Sequence, residues 1–254
     1  MVRPLFFRPS EWEVAHLVNY YATTRPRHLY HSALTEAGHH VREHWIGKTA
    51  EASGFPYIIA NEFICAQLAA EVGLSTPECQ VRSIGKQAWF LSRYVDHERF
   101  TYRKLLRCRN VGDIPLLLLF DLWVCNTDRW SSNLLISRVP DAPDFYEFVV
   151  IDHSHALFGE ADLPKFPLDI DPKMCFTFTE LTEQITSNND WDSALSKVDS
   201  LDEMVIREVV NSLPHITPSE FDTNLLVKQI TKRREQLPEL LHYARTIGCF
   251  PNWL

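Results

Sequence analysis

The segment Asn126-Thr127-Asp128-Arg129-Trp130-Ser131-Ser132-Asn133 is followed, nineteen residues after Asn133, by Asp152 at the end of the apolar run Phe148-Val149-Val150-Ile151. Carboxylate and amide oxygens suit a hard cation such as magnesium, and an aspartate leaving a buried helix can orient or deprotonate an attacking hydroxyl. An Asp, an Asn five residues on and a later Asp closing a strand have the order and spacing of metal-assisted phosphoryl transfer. Asp128 fits the carboxylate that meets the acceptor, and Asn133 and Asp152 fit the metal ligands. Upstream, Lys48 ends the stretch Trp45-Ile46-Gly47-Lys48, and Glu62 follows fourteen residues later. That is the order of a phosphate-binding lysine and a helix carboxylate that steadies it. The turn Thr35-Glu36-Ala37-Gly38 takes the place of a phosphate-covering loop, although its single glycine is far from G-x-G-x-x-G.

Each residue alone has a plainer reading. Asp and Asn are common in turns, Asp152 could cap a turn, Lys48 is an ordinary strand lysine, and Glu62 an ordinary solvated helix residue. Their joint order favours chemistry. His153 and His155 stand near Asp152 without a third or fourth nitrogen or sulfur ligand, so a metal cluster there is not expected, and histidines 39, 40 and 44 read as polar strand positions. Arg129 reads as a phosphate contact or as the partner of a carboxylate in the segment after Asp152. The basic run Arg99, Arg103, Lys104, Arg107, Arg109 reads as a solvated helix face, and Trp89, Phe90, Phe120 and Trp123 as core aromatics.

The elements that must position these groups follow from periodicity. His28–Leu34 and His39–Thr49 read as a hairpin, and Tyr57–Val72 as a helix stopped by Gly73. A second hairpin is expected from Gln80–Ser83 and Gln87–Val95 around Ile84-Gly85-Lys86. Helices are expected at Tyr102–Arg109 and at Pro115–Cys125, the latter capped by Asp113 and apolar on nearly every side. Asn133–Ser137 and Phe145–Ile151 read as strands. Late helices are expected from the capping-box pattern Ser200-Leu201-Asp202-Glu203, and from Pro218-Ser219-Glu220 to Gly248 with a break at Pro238. Strands first and helices afterwards give an α+β chain of two lobes.

Composition limits the partners. With 254 residues, 45% of them hydrophobic, the chain can bury a sizeable core, and its net charge of −8 argues against a nucleic-acid backbone as the main partner. The longest apolar run, Ile114–Cys125, is too short to span a bilayer, and the patch between Arg3 and Arg8 is too short for a signal peptide. Six cysteines with no C-x-x-C pair suggest reduced thiols and neither a zinc site nor a disulfide framework. A cytoplasmic location is the expectation.

The chain resembles the HipA-like branch of the protein-kinase-like fold. The resemblance is carried by Asn126-Thr127-Asp128-Arg129 with Asn133, by Ile151-Asp152-His153-Ser154-His155, by Asn61-Glu62-Phe63 leading to Gly73-Leu74-Ser75-Thr76-Pro77, and by Ser92-Arg93-Tyr94. It spans roughly residues 28 to 245. Asp-Arg-x-x-x-Asn followed by Ile-Asp is also similar to phosphoinositide kinases. The resemblance implies a bilobal domain, with a small β-rich N-lobe to about residue 96 and a mainly helical C-lobe from about 97. It also implies an ATP- and Mg2+-dependent serine/threonine kinase.

In that frame Lys48 binds the α/β-phosphates, Glu62 positions it, Asp128 orients the acceptor and Asn133 and Asp152 hold magnesium. The backbone of Ser92, Arg93, Tyr94, Val95 and Asp96 forms the hinge that meets adenine. Some relatives are toxins of toxin–antitoxin pairs, but the additional N-terminal region of the full toxins is not matched, and His153-Ser154 stands where ordinary protein kinases have Phe-Gly. The first-ranked acceptor is a protein Ser or Thr, with a lipid or small-molecule hydroxyl as alternatives. Ser32, Thr35 and Ser154 are candidates for self-modification. The rival expectation is an inactive nucleotide-binding or interaction module of the same fold.

Overall fold

Alternating polar and apolar residues in the N-terminal part form an antiparallel sheet in the computed structural model, which describes residues 11–18, 22–34, 39–160, 166–167, 169–215 and 221–253. The strands are β1 (Glu11–Leu17), β2 (Arg27–Leu34), β3 (His40–Lys48), β4 (Cys79–Ile84) and β5 (Gln87–Arg93), in the order β1-β2-β3-β5-β4. Both expected hairpins are present. The turn Thr35–Gly38 lies outside the described residues.

Period-2 alternation gives the sheet two different faces. Leu29, Trp45, Trp89 and Leu91 form a small buried cluster on one of them. Gly47 belongs to this face because nothing larger fits: an added Cβ would lie 2.5 Å from Leu29 Cδ1 and 2.8 Å from Trp89 Cε3. The other face carries Lys48, Phe90 and Ser92, with Lys48 paired to Phe90 and Ile46 to Ser92 in the β3–β5 register.

Between β3 and β4 the chain forms a short helix, α1 (Ala50–Ser53), capped by the Thr49 hydroxyl, and then α2 (Ile58–Glu71), most of whose residues are buried. α2 packs on β4 and β5. It ends as Gly73 predicts, for Gly73 takes φ +89° while its N–H donates to Ala70 O and that of Leu74 to Ala69 O.

Beyond the sheet the helix expected over Tyr102–Arg109 is only one turn, α3 (Tyr102–Leu105). The backbone of residues 107–109 instead bonds Tyr146, with Tyr146 N–H donating to Arg107 O and Arg109 N–H to Tyr146 O. α4 (Ile114–Val124) is buried on every side, among α5 (Thr179–Thr182), α6 (Asn189–Asp199), α8 (Thr223–Glu235) and α9 (Leu237–Thr246). Leu116, Leu117, Leu118 and Leu119 are all buried, on the order of 2 kcal/mol of transfer free energy each. Asp113 makes no capping bond, because its carboxylate accepts from Lys197. The C-terminus of α4 is turned by Cys125 at φ +58°.

A hairpin of β6 (Leu134–Val139) and β7 (Ala142–Val150) follows, pairing Leu134 with Val150. The edge strand β1 and the helices α1, α5 and α6 are not among the expected elements. α7 (Glu203–Asn211) is capped by Asp202 rather than Ser200, whose hydroxyl closes α6 on Lys197 O. α8 is capped by Asp222, and the break falls at Gln236 with Pro238 in the first turn of α9. Pro218–Glu220 lie outside the described residues. The chain is thus mixed α and β, a small antiparallel sheet followed by helices. No helix among the described residues is long and apolar enough to cross a membrane.

Candidate active site

A cleft of about 390 Å³ lies against the Lys48 face of the sheet, a size that accommodates a small-molecule ligand. Its lining brings together Lys48, Glu62, Asp128, Asn133 and Asp152, and Ser92, Arg93, Tyr94 and Val95 also line it. Asp96 does not; its carbonyl accepts from Ser137 Oγ.

Lys48, nearly buried at the end of β3, bridges two carboxylates: its Nζ lies 2.5 Å from Glu62 Oε1 and 2.8 Å from Asp152 Oδ1. Burial alone would lower the Lys48 pKa, but Asp152 and Glu62 outweigh it and hold the ammonium well above its usual range. Burial likewise works against ionised Asp152, yet Lys48 and the Ser154 hydroxyl hold its carboxyl far below the usual carboxylate range. Glu62 moves the other way. Its burial raises it to about 7, and Lys48 offsets this only in part.

Backbone geometry aims these groups. Asp152 takes φ +61° immediately after β7, a left-handed conformation rare outside glycine, which turns the chain sharply where the strand ends. The next N–H, of His153, donates to Glu62 Oε2. Asn61, beside Glu62 on α2, donates to Ser154 O and Gly159 O and accepts from Phe158 N–H. Two consecutive residues of α2 therefore fix the segment that follows Asp152.

The loop after α4 is held by a second buried ion pair. Arg129 donates through Nε and Nη2 to the two oxygens of Asp121, both at 2.9 Å, and through Nη1 to Ile151 O and Asn133 O. Asn126 donates to Asp121 Oδ1 and accepts from Asp128 N–H. Arg129 is thus a structural cation whose carboxylate lies in the helix before the loop, not in the segment after Asp152. Burial and then Asp121 act on it in opposite senses, and the net effect raises its pKa. Asn133 Nδ2 donates to Asp128 O, and its amide oxygen accepts from Ser132 Oγ at 3.1 Å while keeping a second lone pair able to bind a cation.

Asp128 is more open than Asp152, with 41% of its side chain exposed. The Trp130 indole donates to its Oδ1 at 2.7 Å. His153 is buried with its ring edge-on to Phe120, and burial, followed by the charge of Arg129, keeps its pKa well below the usual imidazole value. Among the described residues no group of three His, Cys, Asp or Glu could hold a metal ion unaided. Ser154 is buried and spends its hydroxyl on Asp152, which disfavours it as a phosphate acceptor; Ser32 is exposed on β2, and Thr35 lies outside the described residues.

Several contributors were missed from sequence. Asp121 carries a legible signal, as the lone charge in the apolar run of α4. The connection between β1 and β2 carries none, for it lacks glycine, yet Ala22, Thr23, Thr24 and Pro26 line the cleft.

Residues 22–111 match the family model of the HipA-like C-terminal domain. No curated protein sequence matches the chain. Among solved structures, the proinflammatory kinase CtkA of Helicobacter pylori superposes with a TM-score of 0.56 at 14% identity, covering 86% of this chain and 95% of that one. HipA of Shewanella oneidensis MR-1, solved with HipB and operator DNA, gives a TM-score of 0.51 at 13% identity, covering 90% of this chain and 68% of that one. The HipA-like resemblance is borne out, and the chain shares the fold of both proteins.

Proposed function

We propose that this HipA-like chain is an ATP- and Mg2+-dependent kinase that moves the γ-phosphoryl group of ATP to a hydroxyl, first among them a Ser or Thr of a protein. The observation that carries the reading is Lys48 bridging Glu62 and Asp152 in a cleft that also receives Asp128 and Asn133. The reading divides the chain into a small lobe to about residue 96 and a helical lobe from about 97, with nucleotide between them, and assigns a cytoplasmic location.

Lys48 would hold the nucleotide phosphates and Glu62 would fix its ammonium. Segment 92–95 would meet the base. Asp152 and Asn133 supply hard oxygen donors, and two such donors suit magnesium, which keeps its remaining positions for phosphate oxygens and water. Bound there, the ion would neutralise charge on the phosphates. Asp128 would orient the acceptor hydroxyl and receive its proton. Positioning and electrostatic stabilisation supply most of the rate in such chemistry.

A second reading, an inactive nucleotide-binding module, is favoured by the glycine-free segment that lines the cleft. Thermal denaturation with MgATP addresses binding: nucleotide at about 100 times its Kd should add roughly 2.7 kcal/mol to stability. The magnesium-dependent part should vanish in Asp152→Asn. No stabilisation of the wild-type chain by MgATP would refute both readings, and stabilisation without phosphoryl transfer would select the second.

A further inference from the structure

The two oxygens of Asp128 have different neighbours. Trp130 Nε1–H occupies Oδ1, while His155 Nε2 lies 3.7 Å from Oδ2. The other ring nitrogen of His155, Nδ1, lies 3.3 Å from Glu160 Oε1. Phe55 meets the imidazole edge-on at 5.4 Å, and 19% of the His155 side chain is exposed. Glu160 is the nearer of the two carboxylates, and a proton held on Nδ1 toward it leaves the Nε2 lone pair facing Asp128. Glu160 is 57% exposed, which puts the far end of the row in contact with water.

We propose that His155, backed by Glu160, takes from Asp128 the proton released by the acceptor hydroxyl, so that Asp128, His155 and Glu160 form its route to solvent. The inference rests on the kinase reading. As the acceptor oxygen bonds the γ-phosphorus, the bond from that phosphorus to the β,γ-bridging oxygen breaks and its electron pair leaves with ADP. The acceptor proton passes to Asp128 Oδ2 and then to His155 Nε2. Glu160 stabilises the imidazolium until it loses a proton to water, and Asp128 is again an anion. Trp130 restricts Asp128 to one reactive oxygen, and a gap of 3.7 Å is closed by a small rotation or by one water. His155 acts on the acceptor only through Asp128 in this proposal, so it is a positioning and relay residue.

The test uses the full chain with MgATP and water as acceptor, read as ADP release. His155→Gly should lower kcat on the order of 10- to 100-fold and leave KM for ATP within about twofold. Added imidazoles should restore kcat in order of their basicity, with no rescue of Asp128→Asn, and Glu160→Gln should show a smaller loss of the same kind. Unchanged kcat in His155→Gly would overturn the relay. So would a loss that no imidazole restores but that His155→Gln repairs, since that is a packing role. A wild-type chain that transfers phosphate neither to water nor to a protein of a cell lysate would overturn the kinase reading and the relay with it, whereas wild-type turnover indifferent to His155 removes the relay alone.

Discussion

Two of the buried cations, Arg129 and Lys48, organise the centre of this molecule, and they are solved differently. Arg129 faces one carboxylate in a bidentate pair, with backbone carbonyls taking its remaining donor, so the node is neutral and closed. Lys48 faces two carboxylates, Glu62 and Asp152, so with both ionised that node carries an excess negative charge, and it opens on a cleft. A balanced buried pair is a way to fix backbone, here α4 to the loop of Asp128 and the end of β7. An unbalanced one is costly until a further cation arrives, which is what a site for magnesium and a nucleotide would provide. Depressed Asp152 and elevated Glu62 would divide the proposed roles: one carboxylate stays ionised and would serve a metal, and the other would hold the lysine.

The contrast can be broken at either node. At the open node, Asp152→Asn keeps a residue that tolerates the left-handed backbone and leaves Lys48 balanced by Glu62, so phosphoryl transfer should fall by at least about 10³-fold with little change in melting temperature. A comparable fall in Tm and activity together would make Asp152 structural. At the closed node, Asp121→Ala strands Arg129 as an uncompensated buried charge and should cost about 3–5 kcal/mol in denaturant unfolding. A loss below about 1 kcal/mol would mean that the pair does not hold the loop.

Smaller effects come from the sheet that carries Lys48. Gly47→Ala forces a methyl group against Leu29 and Trp89 and should destabilise by about 1–3 kcal/mol, read by chemical denaturation. On the opposite face, His28 Nδ1 and His44 Nε2 are 2.7 Å apart, and His44 stacks on Tyr94 at 4.1 Å. Burial first, then neighbouring imidazoles, lower both pKa values below the ordinary 6.5, with Arg42 adding to the effect on His44. The unfolded chain therefore takes up protons that the folded chain resists. This contribution to stability is present above about pH 6.5 and lost as pH falls below it. Melting temperature measured from pH 8 to 5 should decline less in the double variant His28→Gln, His44→Gln.

Much of this arrangement was legible in the residues. Strand alternation, the glycine stop at Gly73 and the apolar α4 placed Lys48, Glu62 and the Asp128 loop, because each depends on local periodicity. The order Lys48, Glu62, Asp128, Asn133, Asp152 sufficed to bring five groups to one cleft. Long-range pairing was less accessible. The helix expected through Arg109 stops at Leu105 because backbone at residues 107–109 bonds Tyr146, a competition invisible to local propensity. Arg129 carried no sign of which acid it would choose, and Asp121 was legible only as an anomaly within α4. The segment that lines the cleft at residues 22–26 has no glycine signature to mark it.

The most direct test of the central claim is mass spectrometry and ADP release after incubating the full chain with MgATP and a cell lysate. Wild type should release ADP and leave phosphate on a Ser or Thr, and Asp128→Asn and Asp152→Asn should do neither. Equal phosphoryl transfer by wild type and Asp152→Asn would contradict the assignment of the open node as the place where the chemistry occurs.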